Sequence, residues 1–464
     1  MYISIPSNVF VRNYGPYSYL FNQCDWSELL IEGIGPFGSI LSRRAVSVES
    51  AVREIAADYE VLVSKVHCDI LDLISTLVEE GYLLTGECVE HYQNVLGGLG
   101  RGGKQDVRVQ KEVVALDSLL AETELAKTHL LRYFIAHPTP FELCVDLTRA
   151  CTERCVHCYV PGFQNVFLPY EVVVKVLSEF AVMGGLKVKL TGGECMLHPD
   201  FERIVAAART YDMVISVLSN LTCCDSAKAQ AMKDSGVAVV QVSLYGMTPE
   251  THEAVTRVKG SLVKTLSGIE ILQKTGVPVQ INCPVLKENV AGIDAVLHYG
   301  RERGMKTTFD AVMMSRADHG SNESCGLSDA ELRRFIEANE ELPDKLPICP
   351  DSGEHEHVCE IGTSKICLSA EGNYYPCNGC YGLVLGDCRR QTLPEVWNDE
   401  PIKRLRALKM RDLSACRACP DRMFCSPCPA RNFNANGDLV RPDLAMCKAA
   451  ACRRNIVERR TKED

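Results

Sequence analysis

The segment CTERCVHCYV, residues 151–160, sets three cysteines, Cys151, Cys155 and Cys158, within eight positions. A structural zinc site takes four protein ligands. A 4Fe–4S cluster has four irons to ligate. Three thiolates leave one iron open, and an open metal position is a mark of chemistry rather than scaffolding. Three-ligand zinc, or three unrelated thiols, are the alternatives on this segment alone. The chain as a whole is cysteine-rich, with 24 in 464 residues, three of them before residue 140 and twelve between 349 and 452. The start MYISIPSNVFVRNYG lacks a basic stretch followed by an apolar core, so no secretory signal is expected. No window approaches the roughly 18 uninterrupted apolar residues of a membrane span. A cytoplasmic location and no membrane partner are therefore expected. In a reducing compartment, clustered cysteines bind metal or do redox chemistry. A net charge of −10 argues against a nucleic-acid partner.

Residues 1–88 read as a small α+β unit. VFVRNYGPYSYLFNQ offers two strands joined at Tyr14-Gly15-Pro16. SVESAVREIAADYE reads as a helix with Ser47 as N-cap. KVHCDILDLISTLVEEGYLL carries Val66, Ile70, Leu73 and Leu77 at helical spacing and stops at Gly81. Strand, strand, helix, helix, strand is a winged-helix order. Its helices bear Glu49, Glu54, Asp58, Asp69, Asp72, Glu79 and Glu80, which repel phosphate and suit a peptide. Residues 89–140 read as a linker, with the Gly-rich stretch GGLGRGGKQ.

From 141 to 314 a strand and a helix alternate. The strands are FELCVDLT, KVKLTGGE, VISVLSN, VAVVQVSLYG, PVQINCPVL and MKTTFDAVMM. Six such units predict an α/β fold, a partial (β/α)6 TIM-like barrel spanning 141–344. Chemistry in such barrels gathers at the C-terminal ends of the strands. The three cysteines follow the first strand, Gly192-Gly193-Glu194 the second and Ser219-Asn220 the third, while Ser243 lies near the end of the fourth. From 345 to 464 helical periodicity fades, and this region is expected to fold around metal.

CxxxCxxC after the first strand of a partial barrel resembles the radical S-adenosylmethionine (SAM) superfamily. TGGECMLHPDF at 191–201 is similar to that family's Gly-Gly-Glu segment. The resemblance implies a 4Fe–4S cluster on Cys151, Cys155 and Cys158, with SAM on the open iron. His157, Tyr159, Gly192, Gly193, Glu194, Ser219, Asn220 and Ser243 would bind the cofactor, Glu194 accepting from the methionine ammonium. Arg257 lies one position away from a carboxylate-binding arginine of relatives. Taken alone, Gly-Gly-Glu is a tight turn before a helix, and the serines and asparagine are strand-end turn residues.

Cys359 is followed after twelve residues by Gly372 and after four more by Cys377. Cys416-x2-Cys419-x5-Cys425-x2-Cys428 and Cys447 come later. This resembles the SPASM extension, whose last pair is usually spaced by three residues rather than two. The resemblance implies two auxiliary 4Fe–4S clusters. Cys416, Cys419, Cys425 and Cys447 would hold one. Cys359, Cys377 and Cys428 would hold the other, with Cys349 as expected fourth ligand and Cys367 or none as alternatives. CxxC pairs are also zinc spacing. Cys380, Cys388 and Cys452 stay unassigned, and Cys195 and Cys325 are candidates for the barrel mouth.

Residues 1–88 are similar to the leader-peptide recognition element of ribosomal-peptide maturases, in which an extended leader adds a strand to a small sheet. Together the resemblances imply a radical SAM maturase that crosslinks a precursor peptide bearing a leader, supplied by an external one-electron reductant of flavodoxin or ferredoxin type. Thioether formation between a Cys sulfur and a carbon is the expected outcome. The alternatives are a carbon–carbon crosslink, sulfatase-maturase-like oxidation of a protein Cys or Ser, a DNA-binding redox sensor and a zinc-held scaffold.

Overall fold

The computed structural model describes residues 2–32, 46–58, 63–86, 126–160, 162–340, 342–343 and 357–463. The chain divides into two compact units, Met1–Phe134 and Ile135–Asp464.

In the first unit, β2 (Val9–Tyr14), β3 (Tyr17–Asn22) and β4 (Ser27–Glu32) form an antiparallel meander. Tyr14 pairs with Tyr17, so Gly15 and Pro16 make a two-residue turn. Gly15 has φ +54°, and a Cβ there would lie 2.1 Å from the Tyr133 hydroxyl. Only glycine meets both demands. A second sheet places β1 (Tyr2–Ser4) between β5 (Val46–Ser47) and β6 (Leu84–Gly86). Helix α1 (Val48–Asp58) starts where the Ser47 hydroxyl accepts the Ser50 N–H at 3.0 Å. Helix α2 (Val63–Glu79) ends before Gly81, at φ +76°. Ile3, Val9, Leu20, Val52, Ile55, Ile74 and Leu77 close the core. The strand–strand–helix–helix–strand order is present, with three further strands. Two of those, β1 and β5, are too short to show period-2 alternation. Residues 89–125 of the expected linker lie outside the described residues. Residues Ala126–Ala136 form helix α3, and Tyr133 and Phe134 sit edge-on to Tyr17 and Tyr14 with centroids 5.3 and 5.0 Å apart.

The second unit is built on strands β7 (Glu142–Asp146), β8 (Lys187–Thr191), β9 (Val214–Ser219), β10 (Val239–Ser243), β11 (Val279–Pro284) and β12 (Thr307–Asp310), all parallel. Helices α4 (Tyr170–Val182), α5 (Phe201–Thr210), α6 (Ser226–Asp234), α7 (Pro249–Thr256), α8 (Ser261–Thr275) and α9 (Ile293–Glu302) make the crossovers. The strands match the six expected. Their outward residues, among them Leu143, Val145, Val188, Leu190 and Val217, pack on Val176, Phe180, Ile204 and Leu272 of the helices.

The expected boundary at 344/345 does not separate two sheets. Strand β13 (Lys365–Leu368) runs parallel beside β7, pairing Lys365 with Glu142 and Leu368 with Val145. Strands β14 (Asn373–Tyr375) and β15 (Gly386–Asp387) continue the sheet antiparallel. Ile366, Leu368, Trp397 and Ile402 share the core of the barrel. The cysteine-rich region thus draws apolar burial from its neighbour rather than from itself. A four-residue strand paired more than 200 positions away leaves no periodic signal. Helices α10 (Asp329–Asn339) and α11 (Leu444–Glu463) pack through Leu332, Phe335, Ile336, Ala449 and Ile456. No helix among the described residues is long and apolar enough to cross a membrane.

Candidate active site

Period-2 alternation in β7 sends Leu143 and Val145 to the helices, and Cys144 and Asp146 to the opposite face. The chain then leaves the sheet. Leu147 N–H donates to the Thr191 carbonyl at 2.8 Å, and the Thr148 hydroxyl donates to the Val166 carbonyl at 2.7 Å. The cysteine loop is tied to the end of α7, where Arg154 N–H donates to the Thr256 carbonyl (2.9 Å) and Val156 N–H to Val255 (3.0 Å). Cys151, Cys155 and Cys158 all line one cavity of about 430 Å³ at the C-terminal ends of the strands.

Gly192 and Gly193 lie against this loop. Gly193 N–H donates to the Thr148 carbonyl and Glu194 N–H to the Ala150 carbonyl, each at 2.8 Å. A Cβ at Gly192 would stand 2.4 Å from the Thr148 oxygen, and one at Gly193 would stand 2.2 Å from the Ala150 oxygen. The two glycines therefore let β8 support the backbone that leads to Cys151.

His157, Tyr159, Gly192, Gly193, Ser219, Asn220 and Ser243 line the same cavity, where the sequence places them. Glu194 does not. It is fully buried, its Oε1 accepting from Met196 N–H (3.0 Å) and the Ser219 hydroxyl (2.8 Å), its Oε2 from Asn220 N–H (2.8 Å). Its carboxylate locks the ends of β8 and β9 together. Arg257 is also elsewhere. It has φ +59° and borders a second cavity with Arg154, Lys287 and Glu288. Cys325 borders that second cavity too. Cys195 is buried in the core, its sulfur 3.2 Å from the Leu218 carbonyl.

Burial pushes the Cys151 thiol up to about 12, opposed by the Glu153 N–H, and pushes the Cys155 thiol well above its ordinary value. Loading iron on these thiols must therefore displace protons, the metal charge offsetting desolvation. Burial holds the His157 imidazole neutral, at about 4, and its Nε2 lies 3.1 Å from the Tyr245 hydroxyl. The Glu153 Oε1 is buried without a partner beside the cavity. An unpartnered carboxylate oxygen, three thiols and a glycine floor fit a cationic group such as SAM beside a cluster.

Asp146, Arg149, Tyr245, Asn282 and Arg431 line the cavity as well and were not singled out from sequence. Asp146 was recoverable, since it ends the first strand on the Cys144 face. Burial raises its carboxyl to about 7, opposed by the Tyr375 hydroxyl, which donates to Oδ2 at 2.6 Å. Arg431 comes from a helix some 280 residues downstream of Cys151, and only folding brings it in.

Further along, Cys416, Cys419, Cys425 and Cys447 adjoin one another. Burial first, and then the sulfurs of Cys447, Cys416 and Cys419, raise the Cys425 thiol to about 11. Cys359, Cys377 and Cys428 form a second group, burial and then the two neighbouring sulfurs setting Cys377 near 12. Cys349 lies outside the described residues. Cys367 is held in strand register opposite Cys144 and Tyr375. Among the described residues, no three His, Cys, Asp or Glu side chains converge on a point that one metal ion would occupy. A cluster asks for something different, each thiolate on its own iron.

A model of the radical SAM superfamily matches residues 145–300, and one described as an iron–sulfur cluster-binding domain, SPASM, matches 359–420. Over 331 residues the chain is 26% identical to the AdoMet-dependent heme synthase of Methanosarcina barkeri, covering 64% of this chain and 93% of that protein. Over 311 residues it is 25% identical to the antilisterial bacteriocin subtilosin biosynthesis protein AlbA of Bacillus subtilis, covering 64% and 69%. Streptococcus suis SuiB, solved bound to precursor peptide SuiA, aligns with TM-score 0.62 at 14% identity over 96% of this chain and 100% of its own. That likeness is one of fold. Residues 145–300 are therefore a radical SAM domain and residues 359–420 a SPASM domain, which together imply 4Fe–4S clusters and SAM as cofactors.

Proposed function

We propose that this radical SAM enzyme modifies a ribosomally made precursor peptide, and that the modification is a thioether between a Cys sulfur and a carbon. The observation that carries the peptide reading is the extent of the SuiB likeness. It runs past the barrel and the SPASM domain into the strand–helix unit at the N-terminus. Strand β4 is an edge strand among the described residues, and an extended leader can add to such an edge.

When bound, SAM and its cluster supply a 5′-deoxyadenosyl radical, and the auxiliary clusters supply one-electron acceptance. The chain's own residues do the rest. Cys151, Cys155 and Cys158 would hold the cluster. Gly192 and Gly193 keep the loop in place, and the buried walls keep water away from the radical. Closing a thioether also releases a proton. Asp146, raised to about 7 beside the cavity, matches a proton acceptor working near neutral pH.

The test is anaerobic coexpression with a short Cys-containing peptide encoded beside the gene. The expected product is lighter by two hydrogens per crosslink and has one fewer alkylatable thiol for each. The same mass loss with every thiol still alkylatable would point to carbon–carbon closure and overturn the thioether. An unchanged mass would overturn the peptide reading.

A further inference from the structure

Three of the cysteines around the first auxiliary site, Cys359, Cys377 and Cys428, are those the SPASM spacing singles out. The fold adds a fourth. Cys380 is fully buried, and its N–H donates to the Cys377 carbonyl at 2.9 Å, so the two residues close a tight turn. The turn is pinned to the helix Pro429–Asn436, whose N-cap residue is Cys428. The Asn434 side-chain amide donates to the Gly379 carbonyl at 2.9 Å, and a Cβ at Gly379 would lie 3.4 Å from that of Ala430. The sulfurs of Cys377, Cys428 and Cys359 are all electrostatic neighbours of Cys380.

The other cysteines nearby have different surroundings. Cys367 lies in strand register with Cys144, and its further electrostatic neighbours are Cys377 and Asp146. Cys388 faces Asp387, Arg389 and Lys175. Among the described residues, Cys380 is the additional cysteine that adjoins all three members of the group.

We propose that Cys380 is the fourth thiolate of the auxiliary cluster held by Cys359, Cys377 and Cys428. Four thiolates saturate a 4Fe–4S cluster, one per iron. This auxiliary cluster then has no vacant iron on which a substrate sulfur can sit. It serves as an outer-sphere electron carrier, and a crosslinking thiol is positioned by the cavity instead. The inference rests on the cluster sites, so it stands or falls separately from the peptide reading.

The experiment uses the full chain carrying C151A, C155A and C158A, reconstituted anaerobically so that only the auxiliary clusters are loaded. Reduced samples are titrated with cyanide and followed by electron paramagnetic resonance and Mössbauer spectroscopy. With Cys380 in place, no cyanide-dependent shift is expected. Adding C380A should create one cyanide-sensitive iron, or release one iron per chain on mild oxidation. Adding C349A instead should leave the spectra insensitive. A cyanide shift with Cys380 present overturns the proposal, as does an insensitive C380A protein or a shift produced by C349A. If the C380A chain does not fold, the arm with Cys380 intact still decides, and C380S, which can ligate through oxygen, should alter the spectra of one cluster only.

Discussion

A methyl group at position 193 would sit 2.2 Å from the Ala150 carbonyl oxygen, one residue before the first cluster cysteine. Gly193→Ala should therefore displace the cysteine loop, destabilising the protein by about 1–3 kcal/mol and cutting the iron retained after reconstitution. Iron content and 5′-deoxyadenosine yield check this, and wild-type values for both would refute it. Asp146 offers a test by pH. Its folded value is raised from 3.8 to about 7 by burial. The stability it contributes in the metal-free protein is full below its unfolded value and is lost as pH climbs through the folded one. Asp146→Asn removes that loss, so the variant should gain on wild type between about pH 4 and pH 7, by up to about 4 kcal/mol at roughly 1.4 kcal/mol per unit. Urea unfolding of the reduced, metal-free proteins at the two pH values measures it. Parallel profiles would show the carboxyl to be unperturbed.

The helix Pro429–Asn436 is an element placed by one buried ion pair. Arg431 lies 3.2 Å from Asp443, both side chains less than a tenth exposed, and it also donates to the carbonyls of Val312 and Met313 at 2.7 Å. The helix that begins at Cys428 is thereby held to the segment following β12. Asp443→Ala strands a buried guanidinium and should cost about 3–5 kcal/mol. The spectra of the auxiliary cluster at Cys428 should change more than those of the cluster at Cys151. Equal changes at both would mean that the pair supports the fold in general rather than this helix. Element positions in the barrel were legible in the sequence because six alternating units repeat one hydrophobic pattern. Strand β13 was not, because KICL shows no alternation and its partner FELCVD lies more than 200 residues earlier.

At the scale of the whole molecule, the sheet crosses the line between barrel and cysteine-rich region. A chain ending at residue 340 would leave β7 as an open edge with unpaired N–H and C=O groups. It should aggregate, seen as light scattering or loss of the monomer peak in size exclusion, whereas a chain lacking residues 1–134 keeps the nine-stranded sheet intact. That second truncation should still cleave SAM when reduced but leave the precursor peptide unmodified. Retained peptide modification would remove the N-terminal unit from substrate recognition.

The sequence by itself determined the local chemistry. Three thiols within eight positions and the spacing around Cys416 are a local pattern suited to chelation by neighbours, which needs little of the fold. The glycines at 192 and 193 could be recognised for the same reason, as a short turn after a strand. What Glu194 binds, that Asp146 meets Tyr375, and that Cys380 joins Cys359 and Cys428 were decided by tertiary structure. Each depends on groups tens to hundreds of residues apart, and only packing of the shared sheet and its helices brings those groups within reach of a hydrogen bond or a common cluster.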